Sequence, residues 1–245
     1  MANQTVLILG AASDLARALA HHYAAQGWQL HLAARQAQRL QADVQDLKVR
    51  YGATAWAWEF DAVAYQTHAD FWAQLDPSPE LVVCVFGWLG DQQQAEQDWA
   101  QAQQIMAVNY LGATSIMQVA ANDLAQRGRG CLVGISSVAG ERGRGSNYWY
   151  GSAKAGFTAF LSGLRNRLHP QGVQVLTVKP GYVRTAMTQG MRLPPLITAS
   201  PEQAARDIAQ AVTRRRNVIY TRWMWRYLMW IIRHLPEPWF KRLRL

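Results

Sequence analysis

Residues 5–16 read TVLILGAASDLA: a five-residue apolar run, a glycine at position 10, and the beginning of a segment with helical periodicity. An apolar run that ends in glycine and leads into such a segment predicts a strand, a tight turn and a helix. The same alternation continues along the chain. The predicted strands span 5–9, 28–34, 54–60, 81–86, 131–136, 173–178 and 217–221, and the predicted helices span 14–26, 36–50, 66–75, 96–126, 149–168 and 201–213.

The regular alternation of strands and helices predicts the fold. Runs that are apolar almost throughout are buried on both faces, as in a sheet that helices cover on each side. Connections through a helix join parallel strands by right-handed crossovers. We therefore predict one α/β domain over residues 1–221, a doubly wound sheet of seven mostly parallel strands, followed by an amphipathic helical tail over residues 222–245.

The composition is typical of a folded protein and bears on its compartment. In 245 residues, 50% are hydrophobic and 17% are charged, which excludes extensive disorder. Cys84 and Cys131 lie in apolar runs, which predicts buried thiols in a reducing compartment. Residues 1–10 lack the basic start of a secretory signal, and no run approaches the roughly 20 apolar residues of a membrane-spanning helix. These features predict a cytoplasmic protein.

The turn after the first predicted strand is a candidate nucleotide site. Ligands of such sheets bind beyond the carboxyl ends of the strands, and the N–H groups at a helix N-terminus attract a diphosphate. Gly10 permits a close approach, and Ser13, Asp14 and Leu15 follow it. Two of the three glycines expected here are Asp14 and Ala16, so an ordinary turn capped by Ser13 or Asp14 is the alternative. The Asp14 carboxylate is unfavourable beside a diphosphate unless it turns back to cap the helix.

Two further residues bear on which nucleotide is bound. The second predicted strand ends in Arg35, where an NAD site usually has an acid that bonds the ribose 2′-hydroxyl. An arginine can pair instead with a 2′-phosphate, so NADP is favoured over NAD as the cofactor. A solvated arginine at a helix start is the alternative. Asp61, after the third strand, is placed to accept a hydrogen bond from adenine or, alternatively, to cap the next helix.

The strongest chemical signal is Tyr150-Gly-Ser-Ala-Lys154. Residues four apart share a helix face, so the phenol and the ammonium point into the same cleft. A phenol with a pKa near ~10 is a poor acid–base catalyst at neutral pH, and a neighbouring cation lowers that pKa. Ser137, at a strand end upstream, can hydrogen-bond a carbonyl oxygen to which Tyr150 donates a proton. A surface pair on a helix is the alternative.

Other catalytic classes lack their residues. No G-x-S-x-G elbow is present and no histidine lies at a suitable strand end, which excludes a serine hydrolase. The six histidines are scattered and the two cysteines lack the spacing of metal ligands, so we expect no metal.

Several motifs, taken together and in order, resemble the short-chain dehydrogenase/reductase family. The resemblance covers about residues 4–221 and implies a Rossmann-type fold, an NAD(P) cofactor, and hydride transfer between nicotinamide and a carbonyl or secondary alcohol. The motifs are Gly10 at the first turn, Asn109 in VNYLGA, Ser137 in SSVAG, Tyr150-x-x-x-Lys154, and Pro180-Gly181-Tyr-Val-Arg-Thr185.

The resemblance also implies roles for individual residues. Ser137 orients the carbonyl, and Tyr150 is the acid or base. Lys154 lowers the pKa of Tyr150 and holds the nicotinamide ribose hydroxyls. Asn109 keeps a water in the proton relay, with a kinked helix as the alternative. Cofactor contacts are also implied for Ala62, Phe86, Gly87, Pro180, Gly181, Val183 and Thr185.

Two departures and one narrower likeness qualify this resemblance. The glycine turn carries Asp14 and Ala16, and Phe86-Gly87-Trp88 replaces the usual Asn-Ala-Gly, which changes the loop beside the adenosine ribose. Both departures concern the cofactor more than the reaction. The GAASDLA turn and the run SSVAGERGRGSNYWYGSAKAG are similar to the subgroup that contains decaprenylphosphoryl keto-sugar reductases.

The segment 221–245, TRWMWRYLMWIIRHLPEPWFKRLRL, is basic and aromatic, with four of the 11 tryptophans. At about 100° per residue, Arg222, Arg226 and Arg233 form one basic stripe on a helix that is otherwise mostly apolar. This pattern favours a helix that lies in a membrane interface. A helix that covers the substrate cleft or a subunit interface is the second interpretation. Nucleic-acid binding is the third and least favoured.

The sequence therefore predicts an NAD(P)-dependent oxidoreductase with a tyrosine acid/base and a small-molecule or lipid-linked substrate. Through residues 222–245 it would attach to the inner face of a membrane, and we expect a homo-oligomer that binds no nucleic acid. One alternative is a soluble oligomeric reductase of small ketones whose tail packs on its partner. The other is a catalytically silent NAD(P)-binding regulatory protein.

Overall fold

The computed structural model describes residues 4–190 and 193–243. Its main sheet has seven strands, all parallel, in the order β3-β2-β1-β4-β5-β6-β9. A short parallel pair, β7 with β8, lies apart from it. The strands are β1 Thr5–Leu9, β2 Gln29–Ala34, β3 Ala55–Glu59, β4 Leu81–Cys84, β5 Cys131–Ile135, β6 Gln174–Pro180, β7 Tyr182–Val183, β8 Thr198–Ala199 and β9 Val218–Thr221.

Helices cover both faces of this sheet, so the predicted single doubly wound α/β domain is confirmed. The strand order reverses between β1 and β4, which opens a crevice at the carboxyl ends of the strands. The helices are α1 Asp14–Ala24, α2 Gln41–Tyr51, α3 His68–Ala73, α4 Gln92–Gln97, α5 Trp99–Met106, α6 Ala113–Arg127, α7 Tyr148–Leu168, α8 Pro201–Thr213, α9 Met224–His234 and α10 Glu237–Phe240.

The core lies in two layers, one on each face of the sheet. Alternate side chains of each strand enter opposite layers, so Val6 and Ile8 pack on one side and Leu7 and Leu9 on the other. The first layer meets α1 and α8, and the second meets α3, α6 and α7. Cys84 and Cys131 are free and buried, as predicted.

The prediction of a single helix over 96–126 is wrong, because two breaks interrupt the helix. Asp98 leaves the helical conformation and its carboxylate accepts the Ala100 N–H at 2.9 Å, so it begins α5 as a new helix. Residues Ala107–Gly112 then form a π-helical turn before α6. Turns of this kind are often found at functional sites.

The tail forms two short helices, α9 and α10, and not one helix from residue 222. Arg222 has a left-handed backbone (φ 61°), and its guanidinium donates to the Leu196 carbonyl at 2.7 Å. Arg222 therefore does not belong to the predicted basic stripe, whereas Arg226 and Arg233 are exposed on α9. Pro236 ends the connection between α9 and α10 and is the residue before α10. The tail's last two residues, 244 and 245, lie outside the described residues.

Among the described residues, no helix is both long and apolar enough to cross a bilayer.

Candidate active site

Ser137, Tyr150 and Lys154 are brought together where β5 meets α7. Ser137 follows the end of β5, and Tyr150 and Lys154 lie in the first turns of α7. The neighbouring Ser136 locks these elements, because its hydroxyl donates to the Lys154 carbonyl at 2.9 Å and lies 2.6 Å from the Thr158 hydroxyl. The strand end and the helix are therefore fixed to one another by buried hydrogen bonds.

The Lys154 ammonium is almost completely buried, with 3% of the residue exposed. It donates to the Ile135 carbonyl at 3.0 Å and lies 5.7 Å from the centroid of the Tyr150 ring. Burial lowers the pKa of Lys154 to about 8, because a charged group loses hydration there. The lysine still carries most of its charge at neutral pH.

The pKa of Tyr150 moves in the direction opposite to the sequence argument. Burial raises the pKa of Tyr150 to about 12, and a hydrogen bond with Ser137 acts against that rise. The ammonium of Lys154 is engaged with the Ile135 carbonyl, so loss of hydration is the larger effect on the phenol. At neutral pH the half-buried tyrosine is therefore a protonated donor.

Asn109 lies in the π-helical turn and is fully buried. Its amide nitrogen donates to the Trp88 carbonyl at 2.6 Å and to the Ile105 carbonyl at 2.9 Å, and its oxygen accepts the Trp88 N–H at 3.1 Å. A Cβ on Gly87 would lie 2.9 Å from Asn109 Oδ1 and 3.3 Å from Lys154 Nζ. Asn109 thus fixes the loop after β4 beside Lys154. It lies in a distorted part of a helix, as the alternative interpretation of this residue predicted.

The glycine turn has the close approach that the sequence predicts. Gly10 has φ +85°, and a Cβ there would lie 2.7 Å from the backbone nitrogen of Phe86. The Gly10 and Ala11 N–H groups donate to the Ala33 carbonyl, which holds the turn against the end of β2. Ser13 caps α1, with its Oγ accepting the Ala16 N–H at 3.4 Å.

Asp14 does not turn back to cap α1, which corrects one expectation. Its carboxylate accepts the Ala186 N–H at 2.8 Å, in the loop that follows β7. Asp14, Thr185 and Ala186 line a cavity of about 540 Å³ there. Leu15, predicted to touch the cofactor, is buried in the core at 6% exposure.

The second candidate nucleotide contact, Arg35, is exposed at the end of β2. Beside it, Glu59 accepts the Gln36 and Ala37 N–H groups at 3.0 and 2.8 Å, which lowers the pKa of that carboxyl. Asp61 accepts the Val63 N–H at 3.1 Å and does not cap α3, so that alternative is wrong.

The remaining predicted contacts are spread around the crevice. Phe86 lies behind Gly10, and the Ala62 backbone packs against the π-helical turn at Gly112. Pro180 ends β6, and Val183 is buried at 8% exposure.

Thr185 begins a short turn, and its carbonyl accepts from the Thr188 hydroxyl at 3.0 Å. Gly181 lacks a side chain for a clear reason, because a Cβ there would overlap the Trp225 ring of the tail.

The structure also reveals residues that the sequence did not single out. Glu141 accepts from Lys179 Nζ and from the Tyr220 hydroxyl, both at 2.5 Å. Arg142 reaches the tail. The only sequence signal for either is that they follow Ser137 by four and five residues.

In the described parts of the chain, no three His, Cys, Asp or Glu side chains form a cluster suited to a metal.

A family model described as short chain dehydrogenase matches residues 4–194. The chain belongs to this family. As a short-chain dehydrogenase it is an oxidoreductase that acts on CH–OH groups with a nicotinamide cofactor, NAD or NADP.

Relatives of this short-chain dehydrogenase match it almost from end to end. An uncharacterized oxidoreductase from Mycobacterium tuberculosis is 38% identical over 241 residues, covering 97% of this chain and 96% of that protein. An uncharacterized oxidoreductase from Streptomyces coelicolor is 34% identical, covering 98% and 96%. A solved short-chain dehydrogenase from Sphingobium yanoikuyae in complex with NADPH has a TM-score of 0.83 at 22% identity, covering 96% of this chain and 97% of that one. At that identity the structural likeness shows the fold alone.

The residues of the crevice fit a nicotinamide dinucleotide. Gly10 leaves the turn free of a side chain, and the N-terminus of α1 beyond Ser13 presents a positive dipole end. The carboxylate of Asp14, in the first turn of α1, is directed to the Ala186 N–H. The group, when bound, supplies or accepts the hydride of the reaction.

Proposed function

We propose that this protein reduces a carbonyl, or oxidises the matching alcohol, with Tyr150 as proton donor and acceptor. The observation that carries this proposal is the meeting of Ser137 and Tyr150 beside the buried Lys154, where the end of β5 packs on α7. Ser137 would hydrogen-bond the substrate oxygen as charge develops on it. Tyr150, protonated at neutral pH, would donate to that oxygen.

Lys154 and Asn109 complete the proposed site. Lys154 would hold the ribose hydroxyls with its ammonium, and its charge would favour the phenolate after proton donation. Asn109 would maintain the loop after β4 through its bonds to Trp88. The bonds to Trp88 and Ile105 use both amide hydrogens of Asn109 but leave its oxygen one further acceptor position, which would hold a water of the proton relay.

NADP is the proposed cofactor. Arg35 is exposed at the end of β2, and a guanidinium can form a bidentate pair with a 2′-phosphate. The solved relative from Sphingobium yanoikuyae has NADPH bound, which supports the same choice. Asp61, Ala62, Phe86, Pro180, Gly181, Val183 and Thr185 remain proposed contacts around the crevice.

The test of the reaction is Tyr150→Phe, with Tyr148→Phe as the matched control. Tyr148 is on the same helix and 38% exposed. We expect Tyr150→Phe to lower turnover by about two to four orders of magnitude and to leave NADPH affinity unchanged. Tyr148→Phe should behave as the wild type. Normal turnover of Tyr150→Phe on a panel of ketones would refute the proposed role.

We further propose that the outer face of the tail binds an anionic bilayer. Trp223, Tyr227, Trp230 and Trp239 are between 61% and 71% exposed. Aromatic side chains exposed together in this way favour the headgroup region of a membrane.

Basic residues adjoin these rings. An open groove of about 1190 Å³ between α9 and β9 is lined by Arg216, Arg226 and Arg233 together with Trp223 and Trp230. None of the three arginines forms an ion pair within the described residues. Their charge complements anionic headgroups.

A membrane position on the cytoplasmic face favours a lipophilic substrate. We propose a lipid-linked keto sugar, in line with the resemblance to decaprenylphosphoryl keto-sugar reductases. The test compares a polyprenyl-phosphoryl keto sugar with the same keto sugar carrying only phosphate. A higher kcat/KM for the lipid-linked form is expected, and equal values would remove the substrate proposal.

Bilayer binding is tested by flotation with phosphatidylglycerol-containing vesicles and with phosphatidylcholine vesicles. We expect flotation with the anionic vesicles, weakened by salt and by the double change Trp223→Ala and Trp230→Ala. Trp99→Ala is the control, because Trp99 is 68% exposed elsewhere. Equal flotation of all three proteins would contradict the proposal. A change of oligomeric state without a change of flotation would point instead to a subunit interface.

A further inference from the structure

The inner face of the tail packs on the loops of the proposed active site. Trp225 and Met229 are the buried residues of α9, with 3% and 0% exposed. They form one apolar cluster with Val138, Tyr182 and Ile197. Val138 follows Ser137, Tyr182 follows Gly181, and Ile197 lies in the loop before β8. Three separate segments beside the crevice therefore meet on one turn of the tail helix.

Trp225 also makes a directed contact with these loops. Its indole N–H donates to the Ile197 carbonyl at 2.7 Å. Its ring lies edge-on to the Tyr182 ring, with 5.3 Å between the ring centroids. The ring occupies the space in which a side chain at position 181 would lie. The neighbouring carbonyl of Leu196 accepts from Arg222. The tail thus holds the Gly181 loop and the 193–199 loop together.

Arg142 ties the segment after Ser137 to the end of the tail helix. Its guanidinium donates to the Ile232 and Leu235 carbonyls, to the latter at 2.6 Å, and pairs with Glu237 at 2.9 Å. It also lies 3.7 Å from the centroid of the Phe240 ring. Cations favour the carbonyl end of a helix, so this is an electrostatically suited cap for α9.

The same segment is bound from its other side. Glu141, next to Arg142, accepts from Lys179 and from Tyr220 of β9, and Arg144 lies 3.6 Å from the Met229 sulfur. The chain from Val138 to Arg144 therefore contacts the tail and strands β6 and β9.

We infer that the tail is part of the active site. Arg142 and Trp225 are positioning residues: they hold the Ser137 segment and the 193–199 loop in the positions that the reaction requires. The inference rests on the proposed oxidoreductase site. It assigns the two faces of the tail different tasks: the outer face meets the bilayer, and the inner face orients the groups around the substrate.

The experiment measures turnover of a water-soluble ketone with NADPH, without vesicles, for Arg142→Gln, Arg142→Lys and Arg50→Gln. Arg50 is the matched control, an exposed arginine paired with Asp46 on α2. Rates are expressed per NADPH-binding site, so that unfolded protein, which binds no NADPH, does not lower the measured rate. Trp225→Phe serves as a second variant that preserves an aromatic ring but loses the N–H donor.

We expect Arg142→Gln to lower kcat by about tenfold or more and to raise KM for the ketone, with NADPH affinity within about twofold. Arg142→Lys should recover part of kcat, because it keeps the charge beside Glu237. Trp225→Phe should show a smaller loss. Arg50→Gln should match the wild type.

The split between kcat, KM and NADPH affinity, together with the partial rescue by Arg142→Lys, separates positioning from mere loss of stability. Wild-type kcat and KM per binding site in both Arg142→Gln and Trp225→Phe would overturn the inference. If Tyr150→Phe is inactive at the same time, the proposed function stands and only this inference fails.

Discussion

The proposed catalytic group of Ser137, Tyr150 and Lys154 and the glycine turn at Gly10 lie at the same edge of the sheet but differ in construction. Lys154 and Asn109 are buried at 3% and 0% exposure and are held by hydrogen bonds to neighbouring backbone. Ser13 and Arg35 are exposed and lie on turns. Packing fixes Lys154 and Asn109, whereas Ser13 and Arg35 face solvent. Substitutions should therefore have large effects at the first region and modest effects at the second.

The largest expected effect is that of Lys154→Met. Loss of the ammonium should lower turnover at least about 100-fold, since it removes both the proposed ribose contact and the charge beside Tyr150. Burial of this charge costs stability, and the lowered pKa of Lys154, about 8, is the sign of that cost. We therefore expect the unfolding free energy at neutral pH to rise by about 1–3 kcal/mol. Urea unfolding and steady-state assays measure both quantities.

The matched control is Lys48→Met, on the exposed surface of α2. It should leave turnover and unfolding free energy close to those of the wild type. An active Lys154→Met enzyme, or one that is much less stable, would erase the proposed contrast between the two regions.

A pH dependence of about tenfold follows from the same lysine. As pH rises through about 8, the free enzyme loses the Lys154 charge, so kcat/KM for NADPH in the reductive direction should fall about tenfold between pH 7 and pH 9. Over that range the contribution of Lys154 to stability increases, because the unfolded state holds the proton more tightly. Unfolding therefore does not explain the loss, and thermal melts at both pH values check this. A flat profile would contradict the assignment.

Arg35→Ala should have a comparable effect on one cofactor only. We expect the Kd of NADPH to rise about fivefold to tenfold while the Kd of NADH changes less than about twofold. Titration by nicotinamide fluorescence measures both. Arg39→Ala, an exposed arginine one turn further on, is the control. Equal weakening of NADPH and NADH would mean that Arg35 does not read the 2′-phosphate.

The smallest expected effect is that of Asp14→Asn. The amide keeps an acceptor for the Ala186 N–H but removes a negative charge from the N-terminus of α1. We expect NADPH to bind about two- to threefold more tightly. Asp70→Asn, in the first turn of α3, should change nothing. Weaker binding by Asp14→Asn would show that this carboxylate supports the site.

The sequence was sufficient for features that depend on local spacing. All seven sheet strands were predicted because their apolar runs are continuous, and Tyr150 and Lys154 converge because four residues make about one helical turn. The breaks at Asp98 and at Ala107–Gly112 were missed, because helical periodicity continues across them.

Contacts between distant parts of the chain could not be predicted in this way. Asp14 and Ala186 are 172 residues apart, and Arg142 and Leu235 are 93 apart. No periodicity links such pairs, since they are joined by the packing of loops. The direction of the pKa of Tyr150 was missed for a similar reason, because it depends on the depth of the site and on the carbonyl that engages Lys154.

The most direct measurement is a crystal structure of the complex with NADPH. We predict that the nicotinamide ring lies between Tyr150 and the Pro180–Gly181 segment, with Lys154 Nζ bonded to the ribose and the 2′-phosphate beside Arg35. A nicotinamide ring bound away from Tyr150, or a Ser137 hydroxyl that faces away from the space beside it, would contradict the account.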